Sequence, residues 1–192
     1  MQELSLNILD ITQNSLRAGA TKIEIVIDEN TKSDSLSVII RDNGSGMSEA
    51  QVKSVTDPFF TTRNTRKVGL GIPFYKMAAE MTGGSFEIRS TLGVGTEVIA
   101  VFIRSHIDRM PLGNIAETIS QLICLNEETM ITYTQRFDQD SFTVTTKMFS
   151  DTLDGIPLST PQVMQFVYDY IAQYVDALYE QDNIESINME EI

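Results

Sequence analysis

Three glycine-containing segments in the first hundred residues restrict the fold of this chain more than any other feature. They are DNGSGM at 42–47, KVGLGIP at 67–73 and GVGTEV at 93–98. Glycine adopts positive φ readily and lets the backbone approach other groups closely, so such segments are typical of loops and turns. The regular elements are therefore expected between them.

Hydrophobic periodicity between these segments predicts alternating helices and strands. Apolar residues recur at helical spacing in some stretches and at every second position in others. The predicted helices are 3–17, a short one from Ser48 and 70–84, and the predicted strands are 21–28, 36–42, 85–90 and 96–104. This order predicts an α/β (α+β) two-layer sandwich, in which a mixed sheet has helices on one face.

The chain changes in character near residue 105. Residues 1–104 have 12 acidic and 11 basic side chains, whereas residues 105–192 have 15 acidic and 3 basic ones. The second part predicts a helix at 114–125, a hairpin at 130–149 and a long helix at 159–180 that begins with Pro161. We therefore expect two domains, 1–104 and a small acidic α-β-β-α domain at 105–192 whose role the sequence leaves open.

Composition argues against several classes of function. A net charge of −13 repels nucleic acid, because affinity for nucleic acid comes largely from neutralising phosphates. The chain has no run of about eighteen apolar residues that would span a membrane. Cys124 is the only cysteine, so we expect a core position, no disulfide and a cytoplasmic protein. The acidic half fits a basic protein partner or simply a solvated surface.

The segment from Asp42 to Met47 combines a carboxylate with two glycines at the end of a predicted strand. Asp42 can accept a hydrogen bond from an exocyclic amine, and Gly44 and Gly46 allow the backbone to approach a flat ring. The same residues also favour an ordinary turn, so the segment by itself leaves both interpretations open.

Three polar residues share one face of the first predicted helix. Asp10, Asn14 and Arg17 follow one another at intervals of one turn. An amide oxygen that ligates Mg²⁺, a cation near phosphate and a carboxylate near water would suit a nucleotide site. A solvated polar face is the alternative.

The segment KVGLGIP begins a predicted helix after a basic stretch. Backbone N–H groups at a helix N-terminus favour phosphate, and Gly69 and Gly71 remove side chains that would block its approach. Arg63, Arg66 and Lys67 add three cations beside this end. The order of residues differs from GxxxxGK[ST], so this is not a P-loop.

In order and spacing, these segments resemble the GHKL superfamily of ATPases and kinases over residues 3–103. ILDITQNSLRAGATKIEI is similar to the N box, and DNGSGM, GLGIP and GVGTEV are similar to its glycine boxes. DPFFTTR resembles the phenylalanine-containing box at the lid. The second half of the match is closest to histidine kinases, whereas NSLRAGATKIEI is similar to MutL and gyrase B.

The resemblance implies a Bergerat-type domain that binds ATP with Mg²⁺. Asn14 would be the Mg²⁺ ligand, Asp42 would accept from the adenine amino group, and Thr96 would support adenine through water. Residues 61–68 would form a lid that the γ-phosphate orders. The nucleotide contacts that the resemblance implies are Asn14, Arg17, Asp42, Gly44, Gly46, Met47, Phe60, Thr61, Thr62, Arg63, Lys67, Gly69, Leu70, Gly71 and Thr96.

Several departures from the family pattern leave the fate of bound ATP open. Asp10 stands where hydrolytic members carry Glu; it is our candidate general base, although it is one methylene shorter. Lys67 stands where kinases often have a further glycine. The only histidine, His106, follows the last strand of the match, so we expect a structural residue and not a self-contained sensor kinase.

Four functions remain open at this point. The first is a regulatory protein in which Mg-ATP orders the lid and thereby controls a protein partner. The second is a protein kinase that acts in trans, in the manner of anti-sigma-factor serine kinases or a histidine kinase subunit. The third is a slow ATPase with Asp10 as the base, and the fourth is a scaffold that binds no nucleotide. A homodimer through 159–180 is a further alternative.

Overall fold

A six-stranded mixed sheet forms the centre of the fold in the computed structural model, which describes residues 3–56 and 71–189, with side chains to Glu180. The strands are β1 (Lys22–Asn30), β2 (Ser35–Asp42), β3 (Ser85–Thr91), β4 (Gly95–Ile103), β5 (Met130–Phe137) and β6 (Asp140–Thr145). The helices are α1 (Leu4–Arg17), α2 (Glu49–Thr56), α3 (Gly71–Met81), α4 (Ile115–Cys124), α5 (Thr146–Thr152) and α6 (Pro161–Met189).

The strands lie in the order β3-β4-β2-β1-β5-β6. All neighbouring pairs are antiparallel except β1 and β5, which run parallel with Ile25 opposite Tyr133. The strands on the two sides of residue 105 therefore hydrogen-bond into one sheet. The division into domains at 1–104 and 105–192 stays a prediction, but the two parts share this sheet and its core.

One face of the sheet is apolar and is covered by helices. Ile23, Ile25 and Ile27 alternate along β1, as expected, and point to this face with Ile40 of β2 and Tyr133 of β5. Residues of α1, α3, α4 and α6 complete the same core cluster. The predicted α/β sandwich with a mixed sheet is thus confirmed.

Polar residues at the helix ends explain where two of the helices begin. A capping box begins α2: Ser48 N donates to Gln51 Oε1 over 2.8 Å, and Gln51 N donates to Ser48 Oγ over 3.3 Å. Asn114 caps α4 by accepting from the backbone N–H of Glu117. Among the helices in the described ranges, none has the length and apolar character that crossing a membrane requires.

The acidic part differs from its prediction in two places. The strand predicted to reach residue 149 ends at Thr145, whose side chain accepts a hydrogen bond from Met148 N and so begins α5. Periodicity alone missed this change because β-branched threonines stand on both sides of it. The last helix is longer than expected, since α6 continues to Met189.

Cys124 lies in the core, as expected, and is a free thiol. Burial, and the charge of Glu127 to a lesser extent, raises the pKa of this thiol to about 11. The thiolate form that reacts with oxidants is therefore scarce near neutral pH.

A buried carboxylate ties α6 to the far end of the sheet. Glu29 accepts from Arg104 Nε over 2.6 Å and from the Tyr179 hydroxyl over 2.9 Å. The amide of Gln135 donates to the same hydroxyl over 3.1 Å. Burial raises the pKa of Tyr179, so its phenol stays protonated and continues to donate to Glu29.

Candidate functional site

Asp42 is the last residue of β2, and both of its carboxylate oxygens are held by hydrogen bonds. Ser15 Oγ donates to Oδ2 over 2.6 Å, and the backbone N–H of Gly44 donates to Oδ1 over 2.8 Å. A carboxylate oxygen can accept more than one hydrogen bond, so each retains capacity for a further donor. The carboxylate is therefore oriented and can still bind an amine.

Ser15 is a site residue that the sequence analysis did not identify. It lies on α1 among Leu4, Ile8 and Ile11 and is only 5% exposed. In the sequence, Ser15 continues the helical spacing of Leu4, Ile8 and Ile11, so it places a hydroxyl in an otherwise apolar stripe. A buried hydroxyl at such a position needs a hydrogen-bond acceptor, and here the acceptor is Asp42.

The loop after Asp42 packs tightly on the turn between β3 and β4. The N–H of Gly93 donates to the carbonyl of Ser45 over 2.7 Å, and the N–H of Met47 donates to Ser90 Oγ over 2.8 Å. Gly46 has φ +63°, and a Cβ at this position would overlap the carbonyl oxygen of Thr91. Glycine is therefore required here both for its φ and for the close approach.

Thr96 lies directly opposite Asp42 on the neighbouring strand. Its hydroxyl is 2.8 Å from Ser90 Oγ, which is also 3.0 Å from the carbonyl oxygen of Gly95. Ser90, which sequence analysis also missed, follows Phe86 and Ile88 on the same face of β3. Ser90 connects Thr96 with the loop at Met47. The structure therefore brings together Thr96 and Met47, which were both expected to contact nucleotide.

Asn14 and Arg17 share a face of α1, as predicted. Arg17 Nη1 donates to Asn14 Oδ1 over 3.0 Å, while the Arg17 side chain is exposed. This amide oxygen can accept from the guanidinium and still offer its second lone pair to a cation.

Asp10, from the middle of α1, lies against Gly71 at the start of α3. A Cβ built on Gly71 would overlap Asp10 Oδ2, so a residue with a side chain does not fit without movement. The structure thus brings the candidate base to the helix end that was expected to face phosphate.

Seven further residues expected to contact nucleotide lie outside the described residues. They are Phe60, Thr61, Thr62, Arg63, Lys67, Gly69 and Leu70. Their roles, and that of the predicted lid at 61–68, stay predictions. The described residues of the site are Asp10, Asn14, Ser15, Arg17, Asp42, Gly44, Gly46, Met47, Gly71, Ser90 and Thr96.

Charged side chains form a row across the face of the sheet opposite α1. Two of them belong to the residues next in sequence to Asp42 and Thr96. Arg41 contacts Glu24 over 2.7 Å and also Glu97, and Arg89 contacts Glu97 over 3.2 Å. The hydrogen bond from Arg41, together with both positive charges, lowers the pKa of Glu97. Cross-strand pairs of opposite charge favour this register, which places Thr96 opposite Asp42.

A cavity of about 310 Å³ lies at the strand ends and includes Glu24, Arg41, Asn43 and Met130 in its lining. It shares Asp42 with the site, but its charged lining belongs to the face of the sheet opposite α1. The candidate site is therefore on the side of Asp42 where Ser15 and Gly44 contact it.

The fold and these residues define a two-layer α/β protein with a polar site between α1, α3 and the ends of β2 and β4. Residues 1–106 match the family described as histidine kinase-, DNA gyrase B- and HSP90-like ATPases. The chain belongs to this family.

Two curated relatives carry the name of sensor protein. One, from Shewanella frigidimarina, is 33% identical over 109 residues, which are 56% of this chain and 17% of that protein. The other, sensor protein SrrB of Staphylococcus aureus, is 34% identical over 104 residues, or 52% of this chain and 17% of that protein. The match thus covers only a small part of these relatives.

Two solved structures are similar at low sequence identity. The N-terminal domain of a DNA repair protein has a TM-score of 0.51 at 13% identity and covers 76% of this chain and 52% of that chain. This likeness concerns the fold alone. The ATPase domain of Aquifex aeolicus MutL complexed with ADP has a TM-score of 0.47 at 16% identity, covering 75% of this chain and 64% of that chain.

Proposed function

We propose that this protein binds ATP with Mg²⁺ between α1, the ends of β2 and β4 and the start of α3, and that the nucleotide controls its interaction with a protein partner. The observation that carries the proposal is the carboxylate of Asp42, oriented by Ser15 and by the N–H of Gly44 and still able to accept. Membership of the ATPase family supports it.

In this proposal the adenine amino group donates to Asp42, and the backbone from Gly44 to Met47 lies beside the ring. Thr96 and Ser90 hold the opposite strand and can bind a bridging water. These two hydroxyls support the expectation that Thr96 contacts adenine through a water.

Phosphates and Mg²⁺ belong at the other end of the site. Asn14 supplies an amide oxygen to Mg²⁺, Arg17 lies beside it, and the start of α3 at Gly71 presents backbone N–H groups to phosphate. Mg²⁺, when bound, offsets the charge of the phosphates and so allows the Asp10 carboxylate to lie close to them.

Control of a partner is the second half of the proposal. Residues 61–68, with Arg63 and Lys67, would be ordered by the γ-phosphate and so change the surface offered to the partner. Similarity to proteins named as sensors supports a role in signal transduction. A cytoplasmic location belongs to the same proposal and rests on the single, unpaired Cys124.

Thermal unfolding in the presence of Mg-ATP tests nucleotide binding. A ligand at about 100 times its Kd stabilises the folded state by about 2.7 kcal/mol, so the midpoint should rise by several degrees. The rise should disappear in Asp42→Asn and persist in Asp140→Asn, which alters an exposed carboxylate on β6, at the other edge of the sheet from β3 and β4. No rise in the unaltered protein, or an equal rise in Asp42→Asn, would contradict the proposal.

A slow ATPase is a second candidate, favoured by the contact between Asp10 and Gly71. In this proposal the Asp10 carboxylate activates a water beside the phosphates. Steady release of phosphate should then vanish in Asp10→Asn while the thermal effect of Mg-ATP remains. Turnover that persists in Asp10→Asn would remove Asp10 from the role of base.

A further inference from the structure

Three aromatic side chains form a stripe along α6. Phe166, Tyr170 and Tyr174 follow one another at intervals of four residues, and their ring centroids are 6.3 Å and 4.8 Å apart in succession. Phe166 is 45% exposed and Tyr174 is 42% exposed. We refer to these three residues as the aromatic stripe.

The aromatic stripe is supported from beneath and so presents fixed ring surfaces. Phe149 of α5 contacts Tyr170 at 5.6 Å between centroids, and Phe142 of the outer strand β6 contacts Tyr174 at the same distance. The buried residues Val167 and Ile171 anchor the adjoining side of the helix. Rigid aromatic surface of this kind loses little conformational entropy when a partner covers it.

The surroundings of the aromatic stripe are strongly acidic. Residues 138–180 contain seven acidic side chains and one basic one, Lys147, which is paired with Asp151 over 2.8 Å. Asp169, Asp176 and Glu180 are exposed along the neighbouring side of α6. A second copy of the same surface, nucleic acid or an anionic membrane would be repelled by this charge.

We propose that the aromatic stripe and its acidic border are the docking site for a basic segment of a partner protein. Arginine and lysine side chains pack over the open faces of Phe166 and Tyr174, and their charges meet the carboxylates beside them. This inference deepens the partner half of the proposed function. The aromatic stripe is formed by contacts within the chain, so the test is made without ATP and its outcome is separate from that of the nucleotide site.

The experiment measures the fluorescence anisotropy of a labelled peptide in which arginine alternates with leucine, titrated with the full chain. A matched peptide carries citrulline, which is uncharged and of similar shape, in place of each arginine. The arginine peptide should bind more weakly as salt rises, and the citrulline peptide should bind at least about tenfold more weakly.

Substitutions then locate the site. Phe166→Ala with Tyr174→Ala should weaken the arginine peptide about tenfold or more, and Asp169→Asn with Asp176→Asn should weaken it and reduce its salt dependence. Phe74→Ala is the matched control, because Phe74 is an aromatic residue of α3 with 47% exposure, and it should leave the affinity unchanged.

Amide chemical shifts of the unaltered protein provide a measurement that no folding defect can affect. Addition of the arginine peptide should perturb residues 162–176 and leave α3 unperturbed. The proposal is overturned if the arginine peptide does not bind, if the citrulline peptide binds equally, or if the shifts occur elsewhere. It is also overturned if sedimentation shows self-association that the Phe166 and Tyr174 substitutions abolish, because the occupant is then a second copy.

Discussion

Ser15 and Asp42 are 27 positions apart in the chain and are joined by a hydrogen bond of 2.6 Å from the serine hydroxyl to Oδ2. This bond fixes the side chain on which the proposed recognition of adenine depends. The same bond links α1 to the end of β2. One helix therefore carries both Ser15, at the adenine end of the proposed site, and Asn14, at its phosphate end.

Removal of the Ser15 hydroxyl should weaken nucleotide binding. Ser15→Ala loses one hydrogen bond to a charged group, and we expect a loss of about 1.5 kcal/mol, or roughly tenfold in affinity for ATP. Titration calorimetry measures the affinity. Ser150→Ala, on α5, removes a hydroxyl that donates to Thr146 O and is the control. An unchanged affinity in Ser15→Ala would show that Asp42 is oriented by other groups.

Gly46 and Gly93 provide a matched pair for the loop after Asp42. Both have positive φ, but a Cβ at Gly46 would overlap Thr91 O, whereas a Cβ at Gly93 meets nothing within 4 Å. Gly93→Ala should lower the free energy of unfolding by about 1 kcal/mol, the usual cost of this backbone conformation. Gly46→Ala should lower it by a further 1 kcal/mol or so and also weaken ATP binding.

Urea denaturation measures both changes. Equal losses of stability in the two variants would show that the loop does not pack on the β3–β4 turn as described.

The contact between Asp10 and Gly71 can be tested by a double-mutant cycle. Gly71→Ala should be destabilising because its methyl group overlaps Asp10 Oδ2. In an Asp10→Ala background that overlap is gone, so the effect of Gly71→Ala should shrink by about 0.5 kcal/mol, because the Asp10 carboxylate can partly relieve the overlap by rotating. Urea denaturation of the four proteins gives the coupling. Additive effects would mean that the Asp10 carboxylate does not lie against Gly71.

Several residues of the candidate site could be predicted from sequence because they are neighbours in the chain. Asp42 with Gly44 and Gly46, and Asn14 with Arg17, are local patterns that fix a loop or a helix face. Ser15 and Ser90 could not be predicted from local patterns. Their hydroxyls form their hydrogen bonds only after folding brings α1 to β2 and β3 to the loop at Met47.

Pairing across the sheet was the feature that sequence could not show. β5 lies parallel to β1, and no local pattern states which earlier strand Tyr133 will meet. The predicted boundary at residue 105 follows a change of charge, which is a property of the surface. The hydrophobic core continues across it, because burial depends on the apolar residues of both parts.

Acid should remove one stabilising contact at the far end of the sheet. Thr31 donates to Asp138 from its backbone N–H over 2.8 Å and from its hydroxyl over 2.5 Å, and these bonds lower the pKa of Asp138. The stabilisation that these bonds give to the folded state is fully present above the ordinary aspartate pKa of about 3.9. It is lost as the pH falls through the lower pKa that Asp138 has in the folded protein.

Asp138→Asn is a suitable test because asparagine also tolerates the φ of +50° found at this position. The variant should have a lower free energy of unfolding than the unaltered protein at pH 7. The difference between the two free energies should become smaller below about pH 4. Urea denaturation across this range measures it. A difference that stays constant with pH would show that the charge of Asp138 is not stabilising.

The most direct test of nucleotide recognition compares ATP with inosine triphosphate by titration calorimetry in the presence of Mg²⁺. Inosine has a carbonyl oxygen where adenine has its amino group, so this position offers Asp42 an acceptor and not a donor. ATP should bind with a Kd below about 1 mM and at least about tenfold more tightly than inosine triphosphate. Asp42→Asn should lose ATP binding and this preference together. No binding of ATP at about 1 mM, or equal affinity for the two nucleotides, would contradict the assignment of this site.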